Sequence, residues 1–275
     1  MNFKNDNLSK IADELRKDVM KMVHNAGDGH PGPALSITEI IVSLYFNIMN
    51  INPKFPLCEE RDRLILSKGH ACPVLYAALA RKGYFDLDNL KSLRKYGSIL
   101  QGHPDMKTTP GIDFTSGSLG NGISIGLGMA VAAKLTGYNN YIYVITGDGE
   151  LQEGIIWESA MAATKFKADN LIVFVDFNNL QSGGTVDEIS ALNPLLPKWE
   201  SFGWHCQEVD GHDTALIIDA ASKAKTVNDK PSVIICHTIK GKGISYMEGD
   251  NSWHKRVPSD LELKKAIELL GGEDK

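Results

Sequence analysis

Residues 141–181 read YIYVITGDGELQEGIIWESAMAATKFKADNLIVFVDFNNLQ, and this stretch decides the fold. Tyr141–Thr146 and Leu171–Asp176 are short β-branched, aromatic and aliphatic runs without polar alternation, the mark of strands buried on both faces. Between them, Gly154–Ala168 has the length and composition of a helix. Strand, helix and strand in this order form a βαβ unit, in which the two strands run parallel. Each strand ends in polar residues: Gly147-Asp148-Gly149-Glu150 after the first, Phe177-Asn178-Asn179-Leu180-Gln181 after the second. Ligands of a parallel sheet sit beyond the carboxyl ends of its strands. If the two strands are neighbours, Asp148 and Asn178 share one sheet edge. A carboxylate and an amide oxygen are hard ligands that suit Mg2+ or Ca2+, with phosphate oxygens and water completing the shell. Gly147 and Gly149 would let the backbone approach an anion, and the helix that follows offers it free N–H groups. A lone GDG is an ordinary turn; its pairing with a second loaded strand end makes the pattern specific.

The same alternation continues outward. Residues 8–26 carry Ile11, Leu15, Val19 and Met22 at helical spacing. Residues 36–49 predict a more apolar helix, with Ser36 as N-cap and Glu39 completing a capping box. Arg63–Ser67 reads as a short buried strand, and Pro73–Lys82 and Asp88–Lys95 as helices. The second half of 117–137 is helical. Further on, strands Trp204–Val209 and Ser232–Thr238 flank a helix over Thr214–Lys225, and a last helix covers Pro258–Leu270. These elements predict an α/β fold, three-layer α/β/α with a mostly parallel central sheet, as a single domain over residues 1–275. The loop-rich segment 240–258, KGKGISYMEGDNSWHKRVP, reads as a flap or a docking segment.

Composition sets outer limits. The chain has 275 residues, with 29 Lys and Arg against 34 Asp and Glu, a net charge of −5. Such a balance, without a long basic run, argues against a general nucleic-acid binder. No run approaches the apolar length of a membrane span, and the polar start MNFKNDNLSK has no signal-peptide core. Cys58, Cys72, Cys206 and Cys236 are far apart and form no CxxC pair, as expected of reduced thiols in a cytoplasmic protein.

Glycine is in excess, at 26 residues, and clustered. Gly117-Ser118-Leu119-Gly120 before a helix resembles a phosphate cradle. It is neither a Walker A loop nor a dinucleotide fingerprint. Gly122, Gly126 and Gly128 read as close helix packing. Histidine follows glycine four times: His30, His70, His103 and His212. Such positions lie on loops or strand ends. Together they suggest imidazoles converging on one site, as proton carriers or donors to an oxygen-rich substrate. No HExxH or HxH spacing supports zinc. His24, His205 and His237 are assigned to structure, and His254 is left open at this level.

GDG, 28 residues, then NN resembles the thiamine-diphosphate-binding motif. GHPG at 29–32, DRLILSKGHA at 62–71, GHP at 102–104, TSGSLGNGISIGLGMA at 115–130, GDGELQEGIIWESA at 147–160, GWHCQEVDGHD at 203–213 and KPSVIICHTIKGKG at 230–243 are similar to transketolase in order and spacing. The resemblance covers nearly the whole chain, and it is to the amino-terminal, diphosphate-binding part of that family. It implies a thiamine-diphosphate-binding fold with Mg2+, or Ca2+ or Mn2+ in its place, held by Asp148, Asn178 and the main-chain carbonyl of Leu180. Gly149, His70, the Gly117-Ser118-Leu119 segment, Asn178 and His254 would bind the cofactor. His30, His103 and His254 would serve the sugar as catalytic residues. Glu153 and Glu158 match acidic residues at the contact between two cofactors in a dimer.

The implied reaction moves a two-carbon ketol unit from a ketose to an aldose, as in the pentose phosphate pathway, with the thiamine ring as electron sink. In the family, the activating glutamate and the main anion-binding residues belong to the pyrimidine-binding domain, which this sequence lacks. A separate carboxy-terminal subunit is therefore expected, as an α2β2 heterotetramer inactive when either half is absent. Two other expectations compete: a 2-oxoacid dehydrogenase α subunit or deoxyxylulose-phosphate-synthase-like enzyme, and a non-catalytic nucleotide-binding module.

Overall fold

The computed structural model describes residues 5–272. The chain opens with α1 (Asn5–Ala26), which places Leu8, Ala12, Leu15, Val19 and Met22 on one buried face. Two short helices follow, α2 (Pro31–Ser36) and α3 (Thr38–Ser43), and a π-helical turn at Leu44–Ile48. Strand β1 (Arg63–Leu66) leads through the turn Gly69–Ala71 into α4 (Cys72–Lys82). After a long irregular stretch come α5 (Asn121–Thr136), β2 (Ile142–Gly147), α6 (Gly154–Lys165) and β3 (Leu171–Phe177). A small hairpin of β4 (Leu180–Gln181) and β5 (Gly184–Thr185) precedes α7 (Val186–Ile189) and α8 (Leu195–Ser201). The last unit is β6 (His205–Asp210), α9 (Thr214–Ala224) and β7 (Ser232–His237), and the chain closes on α10 (Asp260–Leu269).

The five main strands form one sheet in the order β1-β2-β3-β7-β6, and every pairing in it is parallel. Side chains alternate across it. Tyr143, Ile145, Ile172, Phe174 and Ile234 pack with α1, α3, α4 and α9 on one face. Ile142, Val144, Val173, Val175 and Val233 pack with α5, α6 and α8 on the other. Both faces are covered, so β2 and β3 carry unbroken apolar runs. Each aliphatic side chain so buried contributes roughly 1.5–3 kcal/mol. The register pairs Gly147 with Asp176, which brings the ends of β2 and β3 side by side. No described helix is long and apolar enough to cross a membrane.

Several local expectations are corrected. The helix expected over 36–49 is divided at Ile37, and Ser36 ends α2 instead of capping a helix. Its hydroxyl donates to Asp176, while Glu39 is bound by Arg16 and His212, so no capping box forms. Distant partners outcompete the local cap. Asp88–Lys95 is not an α-helix: Leu87–Ser92 forms 3-10 turns, with Asp86 accepting from the Asp88 N–H. Gly122 and Gly126 do allow close packing, since a Cβ would stand 2.3 Å from Ser67 and 2.7 Å from Val144, but Gly128 faces open space. The segment 240–258 is packed down: Lys240, Ile244, Met247 and Trp253 are buried.

Candidate active site

A cavity of about 460 Å3 opens at the carboxyl ends of β2 and β3. Its floor is built by the two loaded strand ends. Asp148 follows β2 and is buried; it accepts hydrogen bonds from the N–H groups of Gly149 and Asn179. Asn178 follows β3, and its Nδ2 donates to Asp176 at 2.8 Å and to Ser36 at 3.2 Å. That fixes the amide, leaving Oδ1 as the acceptor end, where it receives the Leu180 N–H at 3.0 Å. The Leu180 carbonyl accepts from Lys240 Nζ at 3.1 Å. Thus Asp148, Asn178 and Leu180 line the same cavity; the spacing of the strand ends predicts this for Asp148 and Asn178, and the resemblance implies it for Leu180.

The rest of the wall comes from three loops. His30 stands at the start of α2, His70 in the turn before α4, and His254 in the 3-10 turn Asn251–Lys255. Their ring centres lie 5.2 Å (His30–His70), 5.7 Å (His30–His254) and 5.4 Å (His70–His254) apart. Helix α2 and the late turn can touch because Gly32 has no side chain: a Cβ there would be 2.7 Å from the Trp253 carbonyl. His103, Gly117, Leu119 and Gly149 also line the cavity. Ser118 is exposed and lies outside the wall, so the cradle presents Gly117 and Leu119 without it. Glu153 lines the rim, whereas Glu158 is exposed on α6 outside the cavity. His212 is also absent from the wall. His24, His205 and His237 make structural contacts with Pro258, Ser232 and Glu208 respectively.

Electrostatics follow from burial. Desolvation lowers His30 to about 4, with Arg94 and Lys255 adding to it. It lowers His70 to about 2, helped by Lys68, and His254 to about 3, helped by Lys240. His103 moves the same way. Asp148 is pushed up to about 7 by burial and by the charge of Asp176, against the two N–H groups it accepts. Burial alone would raise Asp176 too, but Lys68, Ser36 and Thr238 outweigh it and hold Asp176 ionised.

Four charged residues here escape a reading of the sequence: Lys68, Glu150, Asp176 and Lys240, all buried. Asp176 accepts from Lys68, Ser36, Thr238 and Asn178. Glu150 takes Ser67 and the N–H groups of Gly120 and Gly147, tying the α5 entry to the end of β2. The available signals are an acid closing the wholly apolar run LIVFVD and lysines beside glycine in SKGH and IKGKG.

The chemistry of the donor set fits a hard cation bridging to an oxyanion. No group of three or more His, Cys, Asp or Glu side chains able to hold a metal occurs among the described residues. A cation on Asp148, Asn178 and Leu180 would therefore take further oxygens from its ligand. Of the cavity's lining residues, His30 and His254 each hold an Nδ1 buried without a hydrogen-bond partner, as expected of a wall that meets a polar ligand.

Fold and site together define a parallel α/β protein whose strand ends form a polar cavity suited to an anionic cofactor. Residues 8–275 match the family described as transketolase, thiamine diphosphate binding domain, and the chain belongs to the transketolase family. It is 47% identical to the 6-deoxy-6-sulfo-D-fructose transketolase subunit of Clostridium sp. (strain MSTE9) over 266 residues, covering 97% of both chains. It is 41% identical to an apulose-4-phosphate transketolase subunit from Actinobacillus succinogenes over 273 residues, covering 99% of both. Transketolase from Campylobacter jejuni superposes with a TM-score of 0.92 at 34% identity, covering 99% of this chain and 44% of that one. The chain therefore has the length of the named subunits and spans under half of the solved enzyme chain.

Proposed function

We propose that this chain is the cofactor-binding subunit of a two-subunit transketolase, moving a two-carbon ketol unit from a ketose to an aldose. The convergence of three neutral imidazoles over the Asp148–Asn178 floor carries this reading. Asp148, Asn178 and the Leu180 carbonyl would hold Mg2+, which would supply positive charge for the diphosphate of thiamine diphosphate. Gly149, His70, Gly117 and Leu119 flank that group, and Lys240 adds a positive charge at the same end. The bound cofactor supplies an electron sink for breaking and remaking a carbon–carbon bond.

The chain's own residues then order the sugar and its protons. His30 and His254 each present a buried, unpartnered Nδ1, and a neutral imidazole has one nitrogen to donate and one to accept. With His103, they can orient hydroxyl groups and hold or move a proton at a hydroxyl oxygen of the substrate. Burial keeps the His30 and His254 rings uncharged at neutral pH, each with one nitrogen to donate a hydrogen bond and one to accept it.

A separate subunit, carrying the pyrimidine-binding domain, completes the site in an α2β2 assembly with Glu153 and Glu158 at the contact. Supporting this are the subunit names of relatives matched end to end. Their names also support an anionic sugar, a sulfonate or a phosphate, as donor. The unpaired Cys58, Cys72, Cys206 and Cys236 suit a cytoplasmic enzyme of carbohydrate metabolism, in the manner of the pentose phosphate pathway. The test is calorimetry with thiamine diphosphate and Mg2+, followed by assay with a pyrimidine-binding subunit on ketose phosphates and a ketose sulfonate. Binding that needs Mg2+, with turnover only in the mixture, is expected. Ketol transfer by this chain alone, or no cofactor binding with the subunit present, would refute the reading.

A further inference from the structure

Of the four histidines that follow a glycine, His212 alone lies outside the cavity wall, yet both of its ring nitrogens are engaged. Nε2 accepts the Ile239 N–H at 2.7 Å, and Nδ1 stands 2.9 Å from Glu39 Oε2. An accepting Nε2 leaves the proton on Nδ1, so the ring donates to Glu39. The other Glu39 oxygen is bound by Arg16, whose Nε donates to the Lys242 carbonyl at 3.0 Å. One buried network from α1, α3 and the β6–α9 turn thus grips the backbone on both sides of Lys240.

Lys240 is the residue in that grip that turns inward. It is 1% exposed, and its Nζ donates to the Leu180 carbonyl and, at 2.7 Å, to Asn251 Oδ1. Gly243 keeps the grip tight: with φ at +91°, it leaves its Cβ space to the Arg16 guanidinium, whose Nε would be only 2.5 Å away. We propose that the Glu39–His212 pair is a positioning device for Lys240, holding the backbone from which the ammonium reaches the floor of the cavity. This rests on the reading of that cavity as the thiamine diphosphate site. Removing His212 leaves both the Ile239 N–H and Glu39 Oε2 without their partner, and the start of the 239–255 segment is free to shift.

The test uses the full chain as His212→Ala and His212→Gln, since a glutamine amide can donate to Glu39 and accept from Ile239. Two quantities are read: the acetylation rate of Lys240 without cofactor, by mass spectrometry, and the Kd for thiamine diphosphate with Mg2+, by calorimetry. The alanine variant is expected to raise each by about tenfold, and the glutamine variant to restore most of the loss. Should the alanine variant fail to fold, His212→Asn, whose shorter amide cannot span both partners, takes its place against glutamine. Unchanged Lys240 labelling, a Kd that stays at the wild-type value, or a glutamine variant no better than alanine would each overturn the proposal. A wild-type chain that binds no thiamine diphosphate with the pyrimidine-binding subunit present overturns the cofactor reading instead, and the labelling comparison still decides where Lys240 is held.

Discussion

His30, His70 and His254 take up protons far less readily than free imidazoles because they are buried beside cations. The unfolded chain binds protons at these sites near pH 6.5, whereas the fold refuses them until about pH 4 or below. Their neutral forms thus favour the fold above pH 6.5, and that advantage is lost as the pH falls. Urea unfolding of the cofactor-free chain should show stability declining from pH 6.5 to 4. His70→Gln, which cannot charge, should flatten that decline; a slope equal to that of the parent would count against it. Asp176 makes a second prediction. Asp176→Asn leaves Lys68 buried without its counter-ion, at an expected cost of about 3–5 kcal/mol in urea unfolding. A loss under about 1 kcal/mol would show that the pair is unimportant. These residues also mark what the sequence conceals. His30, His70 and His103 were legible because glycine neighbours excluded an ordinary helix face, whereas His254 came only through the resemblance and the same glycine signal placed His212, wrongly, with the others. Lys68, Glu150, Asp176 and Lys240 were not, since a charged letter looks solvated until a partner remote in the chain is seen. Asp176 is bound by residues 140, 108 and 62 positions away.

At the scale of elements, the strands were the most legible part, because burial on both faces writes an uninterrupted apolar run. Short pieces were not: β4, β5, α7 and α8 have two to seven residues each, too few for a periodicity to emerge. The break at Ile37 and the 3-10 turns at Leu87–Ser92 escaped for a related reason. Tertiary bonds to Ser36 and Glu39 overrode a local cap, and Asp86 began a turn too tight for an α-helix. Helix α5 allows a paired prediction. Gly122→Ala drives a methyl into Ser67, which holds Glu150, and should cost about 1–3 kcal/mol. Gly128→Ala meets nothing within 4 Å and should stabilise the helix by about 0.5–1 kcal/mol. Denaturant midpoints of the two variants read both signs, and equal shifts would contradict the packing described.

For the molecule as a whole, every main strand points its carboxyl end toward the same edge, so one side of the sheet carries the chemistry and the other only connections. Sedimentation of the chain mixed with a pyrimidine-binding subunit should show two copies of each; a persistent one-to-one complex would argue against the α2β2 assembly. On the proposed reading the pyrimidine-binding subunit would bring the other half of the site, and with it the groups that read the sugar's charged end. The polarity of the sheet has a practical side as well. The 28 residues between GDG and NN run out along α6 and back along β3, with their two ends fixed side by side by the pairing of Gly147 with Asp176. That path turns at Phe166 and Lys167, both exposed, at the amino-terminal edge of β3. A fluorophore, an affinity tag or a pair of new termini could be engineered at this tip, the length of β3 away from the cavity, giving a handle that leaves the cavity's lining in place.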